Sequence, residues 1–267
     1  MQPLSADHAA WLRLLATPGV GRETARKLLA ACGSACGVFE TSGAARRQIV
    51  GPVVSAALES EPEGFAALAD TTRTWLAGSA QRSLITIGDS AYPASLLHTA
   101  DPPLLLYAQG HLELLTQRAV AIVGSRNPTA QGSDNARQFA RHLSQAGITV
   151  VSGLALGIDG AAHEGALEGS GSTMAVVGTG LDRIYPARHR ELTHRIAEQG
   201  LLLSEYALGT PPLRENFPQR NRLIAGLAEG TLVVEAALAS GSLSTARSAS
   251  EAGREVFAIP GSIHSPQ

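Results

Sequence analysis

The sequence predicts an α/β protein: a doubly wound, mostly parallel sheet preceded by a small all-α domain. Three observations predict it. From residue 118 onward, short apolar runs alternate with helical stretches, the pattern of a parallel sheet covered on both faces. Nearly every one of those runs ends in Gly, Ser or a charged residue, as strand ends do where tight turns lead into helices. Residues 8–31 instead place Leu12, Leu15, Ala25, Leu28 and Leu29 at helical spacing around a Pro-Gly break.

The helical part comes first. His8–Ala31 reads as helix, tight hairpin, helix, with Pro18-Gly19-Val20-Gly21 breaking the first helix and its glycines permitting positive φ. This resembles a helix-hairpin-helix (SAM-like) motif, whose hairpin amides can hold a DNA phosphate or simply turn a corner. A degenerate second copy lies in Gln48–Val54. A further helical stretch around Phe65–Leu76 ends near Gly78, giving domains 1–78 and 79–267. Ser83–Ile87 and Leu104–Ala108 then read as strands separated by Pro93, Pro102 and Pro103.

The regular part follows. Ala119–Val123 is a buried strand ending in Gly124-Ser125-Arg126, with a helix over about 133–146. Ile148–Val151 ends in Ser152-Gly153 and leads to a helix from Asp159 to about Glu168. Thr173–Val177 ends in Gly178-Thr179-Gly180, before a helix over about 189–198. Leu201–Leu203 ends in Ser204-Glu205, and a helix runs to about Ala228. Thr231–Val234 ends in Glu235, with a helix near 244–252, and Val256–Ile259 ends in Pro260-Gly261.

Composition bounds the function. The chain has 267 residues, 44% of them apolar, and a net charge of −2, which argues against a wholly basic nucleic-acid coat but not against a basic pocket. Lys27 is its only lysine, so its cations are nearly all arginines, whose planar forks suit phosphate. No apolar run approaches the roughly 20 residues of a membrane span, and the N-terminus lacks a signal peptide's pattern. Cys32 and Cys36 make neither a disulfide framework nor a metal site and fit thiols in a reducing cytoplasm.

In such sheets ligands bind beyond the carboxyl ends of the strands. Glycines at 124, 153, 178, 180, 241 and 261 let backbone amides approach an anion there, and Arg126, Arg220 and Arg222 add charge. Asn216–Ala225 is the densest such stretch: Pro218 suits a helix's first turn and delivers Arg220, Asn221 and Arg222 near a helix N-terminus. Two readings stay open for it. Either an anion sits between the arginines and free amides, or the arginines pair with acidic neighbours such as Glu205 or Glu235. Gly178-Thr179-Gly180 lacks the third glycine of a dinucleotide site, no phosphate-loop, zinc or nucleophile-elbow motif occurs, and no nucleophile–base set can be assembled. Asp159 reads as a helix cap and His163 as a packed residue.

The ordered set Gly124-Ser125-Arg126, Ser152-Gly153-x-Ala155-x-Gly157-Ile158-Asp159-x-x-Ala162-His163, Gly178-x-Gly180-x-Asp182-x-x-Tyr185-Pro186, Ser204-Glu205, Phe217-Pro218-x-Arg220-Asn221-Arg222, Glu235-Ala236, Ser240-Gly241-Ser242-Leu243-x-Thr245-Ala246, Gly253-Arg254 and Pro260-Gly261 resembles the DNA-processing protein A (DprA/Smf) family. The resemblance covers about 118–261 and implies an extended Rossmann-like domain. It implies a homodimeric, cytoplasmic, non-enzymatic protein that binds and protects single-stranded DNA and loads the RecA recombinase onto it in natural transformation. It assigns DNA contact to Gly124, Ser125, Arg126, Ser152, Gly153, Arg188, Phe217, Arg220, Asn221, Arg222, Ser240, Gly241, Ser242 and Thr245, with Phe217 the nearest ring for stacking and no metal or cofactor. Arg188 enters because Ala187 stands where the family often has lysine after Tyr-Pro. The family's small C-terminal helical domain is expected to be absent from this chain, which ends at Gln267. The rival is an enzyme: Ser240–Thr245 followed by Glu251 echoes the P-G-G-x-G-T-x-x-E loop of nucleoside-monophosphate phosphoribohydrolases. A purely structural RecA-docking module leaves the glycine and arginine edge without a purpose.

Overall fold

A computed structural model of the chain describes residues 4–237 and 240–260. The chain divides into two compact units, Met1–Thr86 and Ile87–Gln267.

The first unit holds α1 (Ala6–Ala16), α2 (Arg22–Cys32), α3 (Ala35–Glu40), α4 (Gly43–Ala57), α5 (Phe65–Ala77) and β1 (Arg82–Thr86). Serine hydroxyls cap three of these helices: Ser5 accepts from the His8 N–H, Ser34 from Gly37 and Ser42 from Ala45. Leu12, Leu14, Ala25, Leu28, Val38 and Leu58 are buried between them. The hairpin read at Pro18–Gly21 joins α1 to α2, with Gly19 at φ 81°. At Gly51, φ 80°, α4 breaks before Pro52, where the second copy was expected. The two turns are neighbours, since a Cβ on Gly19 would lie 3.3 Å from Val54 Cγ2. The compact division falls after Thr86, past the boundary read after Gly78 in the sequence. Arg82 of β1 donates to the Trp75 carbonyl at 2.9 Å, with its guanidinium 5.2 Å from that indole.

The second unit begins with α6 (Ala94–Leu97) and β2 (Leu105–Gly110). Then strands and helices alternate: β3 (Ala119–Val123), α7 (Ala130–Gln145), β4 (Thr149–Ser152), α8 (Ile158–Ala166), β5 (Thr173–Val176), α9 (Arg190–Gln199), β6 (Leu201–Ser204), α10 (Asn216–Leu227), β7 (Gly230–Val233), α11 (Gly241–Glu251) and β8 (Glu255–Ala258). The strands run in the order β2-β6-β5-β4-β3-β7-β8. All are parallel except β2, which pairs antiparallel with β6 (Tyr107 opposite Ser204). The doubly wound reading holds, with an antiparallel strand next to β6.

Helices α7, α8 and α9 cover one face, burying Ile122, Val150, Ile158 and Leu232 in one cluster and Ala175, Leu192, Ile196 and Leu202 in another. Helices α10 and α11 pack on the other face. The small residues of α8 let it approach α7 closely; a Cβ on Gly165 would lie 2.1 Å from the Arg137 carbonyl oxygen. Strands β4, β5 and β6 lie to one side of β3, and β7 and β8 to the other. That reversal opens a crevice at the carboxyl ends of β3 and β7.

Candidate nucleic-acid interface

A cleft of about 630 Å³ occupies this crevice. Its walls come from the turn after β3 (Gly124, Ser125, Arg126), from α10 (Phe217, Pro218, Arg220, Asn221, Ile224) and from the start of α11 (Ser240, Gly241, Ser242, Thr245). Asp159, Tyr185 and Arg214 complete it. Residues 217, 220, 221 and 224 follow helical spacing, so α10 presents one continuous face to the cleft.

The arginines have distinct fates. Arg126 is exposed at the mouth, its guanidinium carbon 5.9 Å from the Phe217 ring centroid. Arg214, also exposed, stands on the loop before α10 and was missed in the sequence. Arg220 is only 4% exposed. Its Nη1 donates to the Gly153 carbonyl at 2.6 Å and to the Val176 carbonyl, which pins α10 to the ends of β4 and β5. Burial pulls its pKa down to about 10, against the pull of Asp159, so it stays charged at neutral pH. Arg222 does not reach the cleft: two positions from Arg220 it points to the other side of α10 and pairs with Glu205 (2.6 Å) and Asp101 (3.6 Å). Of the two readings open for this stretch, ion pairing describes Arg222.

The carboxylates are equally committed. Asp159 does not sit at the cap position, which Gly157 occupies; its Oδ2 accepts from the Gly153 and Ala155 amides at 3.1 and 3.2 Å. Burial pushes its carboxyl up, while Arg220 and the two amides oppose that shift. Among the described residues, Glu235 is in no ion pair with an arginine. It accepts from the Thr129 N–H and Oγ1 at the start of α7. His163 is packed as expected: its ring donates from Nδ1 to Thr173 Oγ1 at 2.7 Å, since that hydroxyl already donates to Val150, and burial drops its pKa to about 3.

The glycines serve a different purpose from the one expected. A Cβ on Gly124 would lie 2.6 Å from Ile158 Cγ1, one on Gly153 2.6 Å from Arg220 Nη1, and one on Gly178 3.1 Å from the Phe217 ring. They make room for the protein's own side chains. Among the described strand-edge glycines, Gly241 alone has nothing within 4 Å, which leaves the α11 N-terminus open to a ligand. Ser240, the α11 cap residue, makes no side-chain capping bond and shares a hydrogen bond with Ser242 instead. Asn221 Nδ2 donates to the Gly241 carbonyl at 3.1 Å and sets α10 against that turn. The α11 N-terminus thus lies open at the cleft, beside the first turn of α10, whose Phe217 and Pro218 also line it. Helix α10 starts at Asn216, ahead of Pro218, so Arg220 lies past its first turn. Gly261 and the sequence after it lie outside the described residues.

Beside the cleft, Phe217 and Tyr185 flank a smaller pocket of about 80 Å³ lined by Gly153, Leu154 and Gly178. Their rings are 5.5 Å apart at 41°. Phe217 is held between Gly178, Arg126 and Tyr185, whereas Tyr185 is 45% exposed, which makes Tyr185 the ring with a free face. It was quoted in the sequence pattern but not picked as a contact. The clue was an aromatic residue just past a glycine-rich strand end. Ser152 is buried behind the site, donating to the Ile122 carbonyl, and Arg188 is exposed outside the cleft. Of the phosphoribohydrolase echo, Glu251 ends α11 about 15 Å from Gly241, which begins it, and does not line the cleft.

Among the described residues no helix is long and apolar enough to cross a membrane. Residues 83–267 match the family described as DNA recombination-mediator protein A. Protein Smf of Escherichia coli is 50% identical over 184 residues, covering 68% of this chain and 49% of that protein. DNA processing protein DprA of Streptococcus pneumoniae is 48% identical over 178 residues, 67% of this chain and 63% of that one. The match thus spans roughly half to just under two thirds of these relatives. The X-ray structure of the S. pneumoniae DprA superposes with a TM-score of 0.81 at 37% identity, covering 98% of this chain and 89% of that one. DprA of Helicobacter pylori, whose structure is described for its single-stranded DNA binding mode, gives 0.64 at 35% identity over 69% of this chain and 83% of that one. With residues 83–267, more than half its length, matched by the family model and its fold shared with the S. pneumoniae DprA, the chain belongs to the DNA recombination-mediator protein A family.

Proposed function

We propose that this chain binds single-stranded DNA in the cleft at the carboxyl ends of β3 and β7. One observation carries the reading: Arg126, Arg214 and the open α11 N-terminus face the same cleft as the exposed ring of Tyr185. Guanidinium groups and helix amides are phosphate ligands, and a free aromatic face stacks bases without regard to sequence. Arg220 supplies fixed positive charge to the wall and positions α10. The single-strand binding described for the H. pylori relative supports the same ligand. We take the protein to act in the cytoplasm as a homodimeric, non-enzymatic mediator that protects the strand and passes it to the RecA recombinase during transformation and recombination. The recombination-mediator description of the family supports that role.

Fluorescence anisotropy with labelled oligonucleotides tests the binding. Single strands bind more tightly than duplex of the same length, and affinity falls as salt rises. Arg126→Ala and Tyr185→Ala each weaken binding about ten-fold, the worth of one phosphate contact or one stacked base. Equal affinity for duplex, or indifference to both substitutions, contradicts the reading. RecA filament assembly on the strand, followed with and without the protein, tests the mediator role.

A further inference from the structure

Further exposed arginines lie past the cleft, in the chain that follows β5. The loops after β5 and β6 are tied into one rim: the Gly180 N–H donates to the Thr210 carbonyl at 3.1 Å, the Gly209 N–H to Asp182 Oδ1 at 2.8 Å, and Arg183 Nε to the Gly209 carbonyl at 2.9 Å. Tyr185 and Arg214 stand on these loops and line the cleft. Arg183 precedes Tyr185 and is exposed, and Arg190 lies beyond it, also exposed, as the first residue of α9. His189 between Arg188 and Arg190 turns inward, with Nδ1 3.1 Å from the Leu154 carbonyl oxygen, so the arginines on either side of it are left at the surface. Among the described residues, neither Arg183 nor Arg190 is in an ion pair. A cleft of about 630 Å³ has the capacity of a single small-ligand pocket, whereas a DNA strand carries a phosphate at every nucleotide. A longer strand extends beyond the cleft, and the rim beside Tyr185 offers it the exposed Arg183, Arg188 and Arg190.

We infer that Arg183 and Arg190, together with Arg188, form a second phosphate-contact zone over which single-stranded DNA leaves the cleft past Tyr185. The inference rests on the single-strand reading proposed above. It makes the site longer than the cleft, so that part of the affinity appears only with longer strands.

Anisotropy titrations with poly-dT of about 5 and about 15 nucleotides, each over a salt series, separate the two. The Arg183→Ala/Arg190→Ala variant keeps the short-strand affinity within about two-fold, loses about ten-fold on the long strand, and has a long-strand salt slope shallower by about 1.4. Arg190→Ala alone leaves the loop hydrogen bonds in place and lowers that slope by about 0.7. Unchanged long-strand affinity and slope in both variants, with Arg126→Ala still weakening both lengths, overturns the rim and leaves the cleft standing. Failure of the unaltered protein to bind either length overturns both.

Discussion

Arg220 is the buried cation on which the cleft wall depends, and its neighbours are chosen for it. Gly153 has no Cβ, so the guanidinium lies against the backbone at the end of β4; Asp159 balances its charge. Gly153→Ala therefore forces the arginine out of its seat. The expected cost is about 1–3 kcal/mol of stability, read as a lower denaturant midpoint, together with weaker single-strand binding. An unchanged midpoint would contradict the packing. His163 makes a second test at this scale. Its folded pKa of about 3 lies below the ordinary 6.5, so between those values the unfolded chain holds a proton that the folded chain does not. The stability associated with this group is complete above pH 6.5 and falls by about 1.4 kcal/mol per pH unit below it. At about pH 5 the loss is about 2 kcal/mol. Unfolding curves of the protein and of His163→Gln, compared at neutral pH and near pH 5, should show less acid sensitivity in the variant. Equal sensitivity would contradict the burial of a neutral imidazole.

At the scale of the element, α10 shows what the sequence could and could not reveal. Its place beside the ligand edge was legible, because a proline followed by polar residues ahead of an apolar run reads as a helix start. Its phase was not. Once the helix is known to begin at Asn216, spacing alone puts Phe217, Arg220, Asn221 and Ile224 on one face and Arg222 on the other. The predicted consequence is a division of labour. Arg222→Ala leaves single-strand affinity within about two-fold but costs about 3 kcal/mol of stability, because it breaks a largely buried pair with Glu205. A large loss of DNA affinity with stability unchanged would contradict that placement. Helix α11 was read several residues late, at 244, so the exposure of Gly241 at its N-terminus emerged only with the fold. Glycines were seen at the strand ends, but a glycine that admits an arginine and one that admits a phosphate look alike until the neighbours are known.

For the whole molecule, the double winding was legible because each strand is a short apolar run bounded by turn residues. Strand order was not, since nothing local in Thr231–Val234 says that it returns to lie beside β3. That return creates the switch point and gathers residues more than a hundred positions apart, from Gly124 to Thr245, around one cleft. Tyr185 and Arg214 escaped notice for the same reason: they come from loops that meet the cleft only in three dimensions. The central claim is that this cleft, and not the hairpins of the helical unit, holds single-stranded DNA. Photocrosslinking with an iododeoxyuridine-substituted single strand, followed by peptide mapping, tests it most directly. The cleft predicts adducts on Tyr185 and on the peptide carrying Arg214 and Phe217, suppressed by unlabelled single strand and reduced by Arg126→Ala. Adducts confined to the Pro18–Gly21 or Gly51–Val54 turns, with none on Tyr185 or Phe217, would contradict it.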